Sequence, residues 1–563
     1  MTHPGRTQTS FRPQPYPLDD LALQACLRCR SSKRKCDRLL PHCSRCTRLR
    51  AECLYSTKSG TPDTTANGAL ATELQATVPF DQITASQVLS LIAADARREG
   101  DFGWADAVRS YFEHVHSWFA VVHCSLFEEK LAVLGDRPAS PATPMSISSV
   151  VTSEKPLSIF QTLDNLGSVP DPDISKEFAL LILTMYMTTR PRLMKSGERT
   201  LFDDLYWLVK RALASSFSSE PKLELVQSGA LLAFYEYGHG EPIDAYGTLS
   251  KSVTAASRLD VKPTRLDEGA DPSTMEEEER SGLWWALFIL DQFLHIDDVV
   301  KNLPFIVKSP EMDTLLPGPI MCPPLLDHKC KPRSELPGPL PISALLDTQK
   351  MESFQMSAKV ATLLHRALQH EHKLRASPGF LPPIDSFSSL DAEIREATMI
   401  LLRNDVNNWQ VTLDCFSMAI SALFSIYLPY LPMLEAKTAA EIKSDPSLTT
   451  AMTALGFASQ LAVDISCKVS NSLDADDKTA ELDYLVAPAV PTCYLAVKTC
   501  TSLRQIFPDE WERFEKAIVD RLGSLRFFNN RWGIADRVMR QIQELDGLDP
   551  FELLSYNSPS APR

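Results

Sequence analysis

From about residue 86 onward, apolar residues recur at three- and four-residue spacing, the period of amphipathic helices packed on a core. The stretch WADAVRSYFEHVHSWFAVVHCSLFEEKLAVL (104–134) shows this period, and further helices are predicted near 174–190, 199–216, 222–237 and 241–259. Another begins in STMEEEERSGLWWALFILDQFL. There Ser273 or Thr274 is placed to cap, Glu276 or Glu277 follows three residues on, and the acidic first turn suits the helix dipole. Helical patterns resume at about 344–375, 389–413, 415–434, 446–473, 485–507 and 509–546. The fold class expected is all-α, with a helical body over 86–547.

The breaks in the pattern outline the rest. Residues 1–24 read as a disordered arm and 56–85, rich in Thr, Ala, Ser and Gly, as a linker. Residues 135–173, rich in Ser with several Pro, read as a flexible insert. Residues 299–343 hold ten of the 40 prolines and read as an extended loop across the bundle. Residues 548–563 are a C-terminal tail. Leu70, Leu74 and Val78 make less than two heptads, too few for a coiled coil, so a homodimer is left open. The apolar fraction of 44% fits a real core and not general disorder.

Charge changes the picture near the N-terminus. Between Cys26 and Cys53 lie nine Lys/Arg and two acids, +7, whereas the whole chain carries −14, leaving −21 on the other residues. A small basic module on a large acidic body is the asymmetry of a nucleic-acid reader, and the body's own charge confines DNA contact to the module. The module also holds Cys26, Cys29, Cys36, Cys43, Cys46 and Cys53: a Cys-x2-Cys-x6-Cys unit written twice. Thiolates favour zinc, and two four-coordinate ions can share six sulfurs if two of them bridge. The first Cys of each half, Cys26 and Cys43, holds the equivalent bridging place. A disulfide framework would need an oxidising compartment, and residues 1–24 show no apolar signal-peptide core.

The stretch ACLRCRSSKRKCDRLLPHCSRCTRLRAECLY (25–55) resembles the fungal zinc binuclear cluster (Zn2Cys6) transcription factors in its cysteine spacing, its basic run, Asp37 and Pro41. The resemblance implies two Zn2+ ions per chain and a short helix in each half, here near Arg30–Lys35 and Thr47–Arg50. It implies a first helix entering the major groove of double-stranded DNA at a CGG-type triplet. Lys33 matches the main base-reading position, with Arg34 able to share it. Arg30, Lys35 and Arg38 match phosphate-holding positions. Pro41 matches the loop proline between the halves. The segments YFEHVHSWFAVVHCSLF (111–127), AYGTLSKSVTAASRLDV (245–261), EEERSGLWWALFILDQFL (277–294) and RWGIADRVMRQIQEL (531–545) resemble the fungal-specific transcription factor domain, the middle homology region. That likeness implies a helical fold and no ligand site.

Other features read as packing. His114, His116, His123 and Cys124 fit packed or capping residues better than a metal site, and Trp284, Trp285 and Phe288 fit core better than a cofactor box. Residues 415–434 carry no charge over 20 residues, but two prolines and three serines interrupt them, so no membrane span is expected. No GxxxxGKS/T, strand-associated GxGxxG, GxSxG or HExxH occurs, so an enzyme lacks its chemistry here. The segment ELDGLDPFELLSY (544–556) interleaves acids with apolar residues. It reads either as a tail docked on the bundle or as a segment recruiting the transcription machinery or co-regulators.

The expectation is therefore a nuclear, sequence-specific DNA-binding transcription factor acting on RNA polymerase II genes. It combines a small binuclear zinc module over 25–55 with a large all-α regulatory domain, and is not an enzyme. Resemblance suggests control of a biosynthetic or catabolic gene set, such as secondary metabolism. Two alternatives stand beside it: a receptor of the same architecture responding to a small-molecule effector, and a helical scaffold whose zinc module binds protein.

Overall fold

Thr274 opens a 22-residue helix by accepting from the Glu277 amide (3.2 Å), while the Glu277 carboxylate accepts from the Thr274 amide (2.9 Å). Two otherwise orphan donors are satisfied reciprocally, which locates the helix start predicted at Ser273 or Thr274. The computed structural model describes residues 29, 34–37, 43–49, 83–99, 102–132, 174–194, 197–198, 201–216, 221–266, 274–318, 340–348, 350–375, 383–405, 408–473, 479–510, 518 and 523–545. The chain divides into two units, Met1–Glu73 and Leu74–Arg563, and the division falls inside the predicted linker.

In the first unit the described helix is α1 (Ser44–Arg48). The second unit contains α2 (Ala85–Glu99), α3 (Trp104–Ser110), α4 (Cys124–Ala132), α5 (Lys176–Thr189), α6 (Asp204–Ser216), α7 (Leu223–Gly238), α8 (Pro242–Arg258) and α9 (Met275–Ile296). It continues with α10 (Ser353–Arg375), α11 (Ser388–Asp405), α12 (Leu413–Tyr427), α13 (Leu431–Glu435), α14 (Ala439–Ser444), α15 (Pro446–Leu473), α16 (Ala489–Ile506) and α17 (Ile534–Gln543), with a further helical stretch over 523–531. Two two-residue strands, β1 (Leu193–Met194) and β2 (Gly197–Glu198), pair antiparallel. Among the described residues the body is all-α apart from this hairpin.

Helices α5, α7 and α12 are apolar nearly all round, and each is buried along almost its whole length. Such helices have no solvent face to offer and must sit inside. α7 packs on α5 and α8, while α10 packs on α9, α11 and α12. α12 contacts α15 and α16, and α16 contacts α17. One hydrophobic core runs through these helices. Leu413–Glu435 and Pro446–Leu473 are long and apolar enough to cross a membrane by length and composition, but their windows are 78% and 56% buried within the body.

Several predicted helices are cut by side chains. The 104–134 pattern breaks after α3 into a π-helical turn (Tyr111–Val115) and a loop before α4. The Tyr111 hydroxyl donates to the Phe119 carbonyl (3.2 Å) and accepts from the Val121 amide (3.1 Å), so the loop is bound by a side chain instead of by helical bonds. The 415–434 run ends its first helix at Tyr427, where Pro429 and Pro432 restart it as a 3-10 turn and then α13. The 509–546 run divides at Gly533, where a Cβ would lie 2.9 Å from Leu201 Cδ1 and 3.3 Å from the His239 backbone. The 389–413 run stops at Asp405 and is followed by a 3-10 turn, Trp409–Val411.

Of the proline-rich stretch, 299–318 and 340–343 are described. They pair through the isolated bridges Arg265↔Thr314 and Leu315↔Pro341, and the Ile306 and Val307 amides donate to Asp291 Oδ2 on α9 (2.9 Å each). The N-terminal arm, most of the 56–85 linker, the 135–173 insert and the 548–563 tail lie outside the described residues. At the near end of the 544–556 segment, Leu545 packs against the core.

The C-terminal region is keyed into the front of the body. Arg531 Nη2 donates to the Thr188 carbonyl (2.9 Å), and Trp532 Nε1 donates to the Leu485 carbonyl (2.5 Å). The Gly533 amide donates to His239 Nδ1 (3.2 Å), and Arg537 pairs with both oxygens of Asp297 (2.8 and 2.9 Å). Burial, with Arg531, Arg192 and Arg190 around it, holds His239 well below the usual histidine range, which keeps Nδ1 free to accept.

Candidate zinc and nucleic-acid module

Among the described residues, the core of the first unit is made of sulfur. Cys29, Cys43 and Cys46 are buried together with Cys36 packed against them. The Sγ atoms of Cys29, Cys36 and Cys43 lie within 4.8 Å of one another, and those of Cys29 and Cys43 are 3.8 Å apart. Two sulfurs on one tetrahedral zinc, each about 2.3 Å from the ion, are separated by about 3.8 Å. The spacing fits a shared ion. Cys43 comes from the second half of the repeat yet sits among two cysteines of the first, which is the position a bridging sulfur needs. Cys26 and Cys53 lie outside the described residues.

Local backbone chemistry prepares the second half. Cys43 is the N-cap of α1, and its Sγ accepts from the Cys46 amide (3.4 Å), placing a thiolate at a positive helix end. Asp37 crosses from the first half, and its carboxylate accepts from the Ser44 amide through both oxygens (3.2 and 3.1 Å). These two caps start the helix at Ser44, three residues before the predicted Thr47, and it ends at Arg48. The capping role of Asp37 was not read from the sequence; an acid one residue after a Cys and seven before a serine gives no cap signature by itself.

Asp37→Ala is expected to loosen α1 by about 1 kcal/mol, the usual worth of a helix cap. The effect should appear as a lower zinc affinity in competitive chelator titration, with Asp37→Asn retaining part of it. Equal affinity in all three proteins would show that the cap does not support the site.

The basic residues divide by position. Arg34 and Lys35 are exposed and not helical. The Arg34 amide donates to the Cys29 carbonyl (2.8 Å), a six-to-one closure that ends a helix, so the predicted Arg30–Lys35 helix does not extend through its last two residues. Arg30, Lys33, Arg38 and Pro41 lie outside the described residues.

Residues 24–62 match the family model of the fungal Zn(2)-Cys(6) binuclear cluster domain, and residues 108–315 match that of the fungal specific transcription factor domain. The chain carries both domains. It is a DNA-binding transcription regulator of fungal type, binding two zinc ions through its cluster domain. No curated protein and no solved structure matches the chain. The match to the regulator's helical domain ends at 315, whereas its core continues through α10–α17.

Among the described residues of the regulator, the cysteine group is the one cluster of three or more metal-ligand side chains with converging atoms. His116 is buried with its Nε2 3.3 Å from Cys124 Sγ, and burial pushes it down to about 3. His114 bonds Ser110 and stacks edge-on against Tyr484, while His123 faces Glu278 at 3.5 Å. Trp285 and Phe288 are fully buried, and Trp284 stacks on Phe288. These side chains sit in hydrogen bonds and ring contacts within the body.

Proposed function

We propose that the regulator reads a CGG-type triplet through Lys33, with Arg34 sharing the reading, while Arg30, Lys35 and Arg38 hold phosphates. In the same reading all six cysteines ligate the two zinc ions, with Cys26 and Cys43 as the bridges. The regulator then acts in the nucleus on RNA polymerase II genes of a biosynthetic or catabolic set. The observation that supports it is the seating of Cys43 beside Cys29 and Cys36. A sulfur shared between the halves makes one rigid body of the module and holds the exposed basic run beside Cys36 at a defined angle. Lysine can donate to guanine O6 and N7, which only the major groove displays, whereas phosphate contacts set register without sequence.

The two roles separate under mutation. Lys33→Ala is expected to cost about 1–3 kcal/mol at the preferred triplet and to blur the consensus in a randomised-site selection. Arg38→Ala is expected to weaken all sequences about equally and to reduce the salt slope by about one. An unchanged consensus in Lys33→Ala would transfer the reading role to Arg34.

A further inference from the structure

Ser309 lies in the segment that crosses α9, between Lys308 and Pro310. It is exposed, in neither helix nor strand. A following proline biases a residue toward extended backbone, and among the described residues no backbone–backbone hydrogen bond holds Lys308, Ser309 or Pro310. The chain has six Ser-Pro or Thr-Pro steps, and this is the one within the described residues. An exposed Ser-Pro step outside helix and strand, with no backbone–backbone hydrogen bond to hold it, is open to a kinase cleft that selects proline after the acceptor.

The hydroxyl's surroundings point the same way. Ser309 Oγ is 2.7 Å from His365 Nε2 on α10 and accepts from Gln369 Nε2 (3.1 Å). Gln292 Nε2 donates to the Phe288 carbonyl (3.0 Å), so its Oε1 faces His365 Nδ1 (2.8 Å) and places the ring proton there. Burial and the nearby His295 push His365 down to about 4, so the ring is neutral and its Nε2 accepts the serine proton.

We propose that Ser309 is a phosphorylation site for a proline-directed protein kinase, and that His365 and Gln369 receive the phosphate on the folded body. In the transfer, Ser309 Oγ attacks the γ-phosphorus of ATP and the bond to the bridging β,γ-oxygen breaks. ADP leaves, and the hydroxyl proton passes to the kinase's base. The phosphate then offers only acceptors to His365 Nε2. The ring takes up a proton and donates from both nitrogens, to the phosphate and to Gln292 Oε1. The acid nearest in sequence, Glu311, is already paired with Lys308 and Arg265. The opposing charge is His295, held above the usual histidine range by Asp291. The modification thus moves a charge onto a side chain bonded to α9, a helix inside the stretch that matches the fungal specific transcription factor domain.

The test uses the full-length, zinc-loaded protein with ATP and, in separate reactions, a cyclin-dependent and a mitogen-activated kinase, with sites mapped by mass spectrometry. A free peptide covering 303–315 serves as the intrinsic substrate control. Phosphate is expected at Ser309 in the folded protein, absent in Ser309→Ala, with the phosphorylated body still unfolding cooperatively. The proposal is overturned by a folded protein unmodified at Ser309, whether or not the peptide is modified. It is also overturned by phosphate entering only after urea treatment, or by a modified body that has lost its cooperative transition.

Discussion

Chelating zinc from the intact regulator is expected to abolish DNA binding while leaving most of its helical signal in place. The described core of the first unit consists of Cys29, Cys43 and Cys46 with Cys36 against them, so apolar burial contributes little there. Metal binding must supply the folding free energy, on the order of 10–16 kcal/mol for structural zinc near pH 7. The second unit has its own extensive hydrophobic core, and the described metal-ligand cluster is made of Cys29, Cys36 and Cys43. Native mass spectrometry should count two zinc ions per chain, and circular dichroism after chelation should retain the helical body. Cys43→Ala should be more damaging than Cys46→Ala, because a bridging sulfur serves both ions. One zinc in fully active protein would remove the binuclear cluster, and equal effects of the two substitutions would remove the bridge.

Trp532→Ala is expected to destabilise the helical body by about 3–5 kcal/mol, the range for deleting a buried aromatic. Trp532 is only 2% exposed. Its ring meets Phe234 edge-on at 5.1 Å, lies under the Arg531 guanidinium at 4.5 Å, and carries an indole N–H bonded to Leu485. It also fills the space left by Gly238, where a Cβ would come within 2.6 Å of the ring. Gly238→Ala should therefore act on the same contact from α7. Urea unfolding of the body should show Trp532→Ala shifted to lower midpoint, with zinc content unchanged. A shift worth less than about 1 kcal/mol would mean that the C-terminal helices are not part of the body's cooperative unit.

The module and the body were legible to different degrees. The six cysteines and the basic run between them needed no fold to be recognised, because zinc ligation and phosphate attraction depend on residue type and spacing. The helical period likewise marked most helices of the body, and the Thr274–Glu277 capping box located the start of α9. Boundaries were the weaker part. The 104–134, 415–434 and 509–546 runs read as continuous because periodicity records which face is apolar and not where the backbone bonds stop. Tyr111 binding the 119–121 loop, the prolines after Tyr427 and the tight seat of Gly533 made those decisions.

What the amino-acid sequence determined alone was the chemistry of the module, the all-α class and the separation of a basic reader from an acidic body. Each of these is a property of local composition or period. Only the tertiary structure decided that Asp37 caps α1, that Trp532 occupies the gap at Gly238, and that Ser309 meets His365. Those pairings join residues that are 7 to 294 positions apart. No spacing rule reaches so far, since the packing of whole helices, with the loss of conformational freedom it entails, chooses which distant side chains meet.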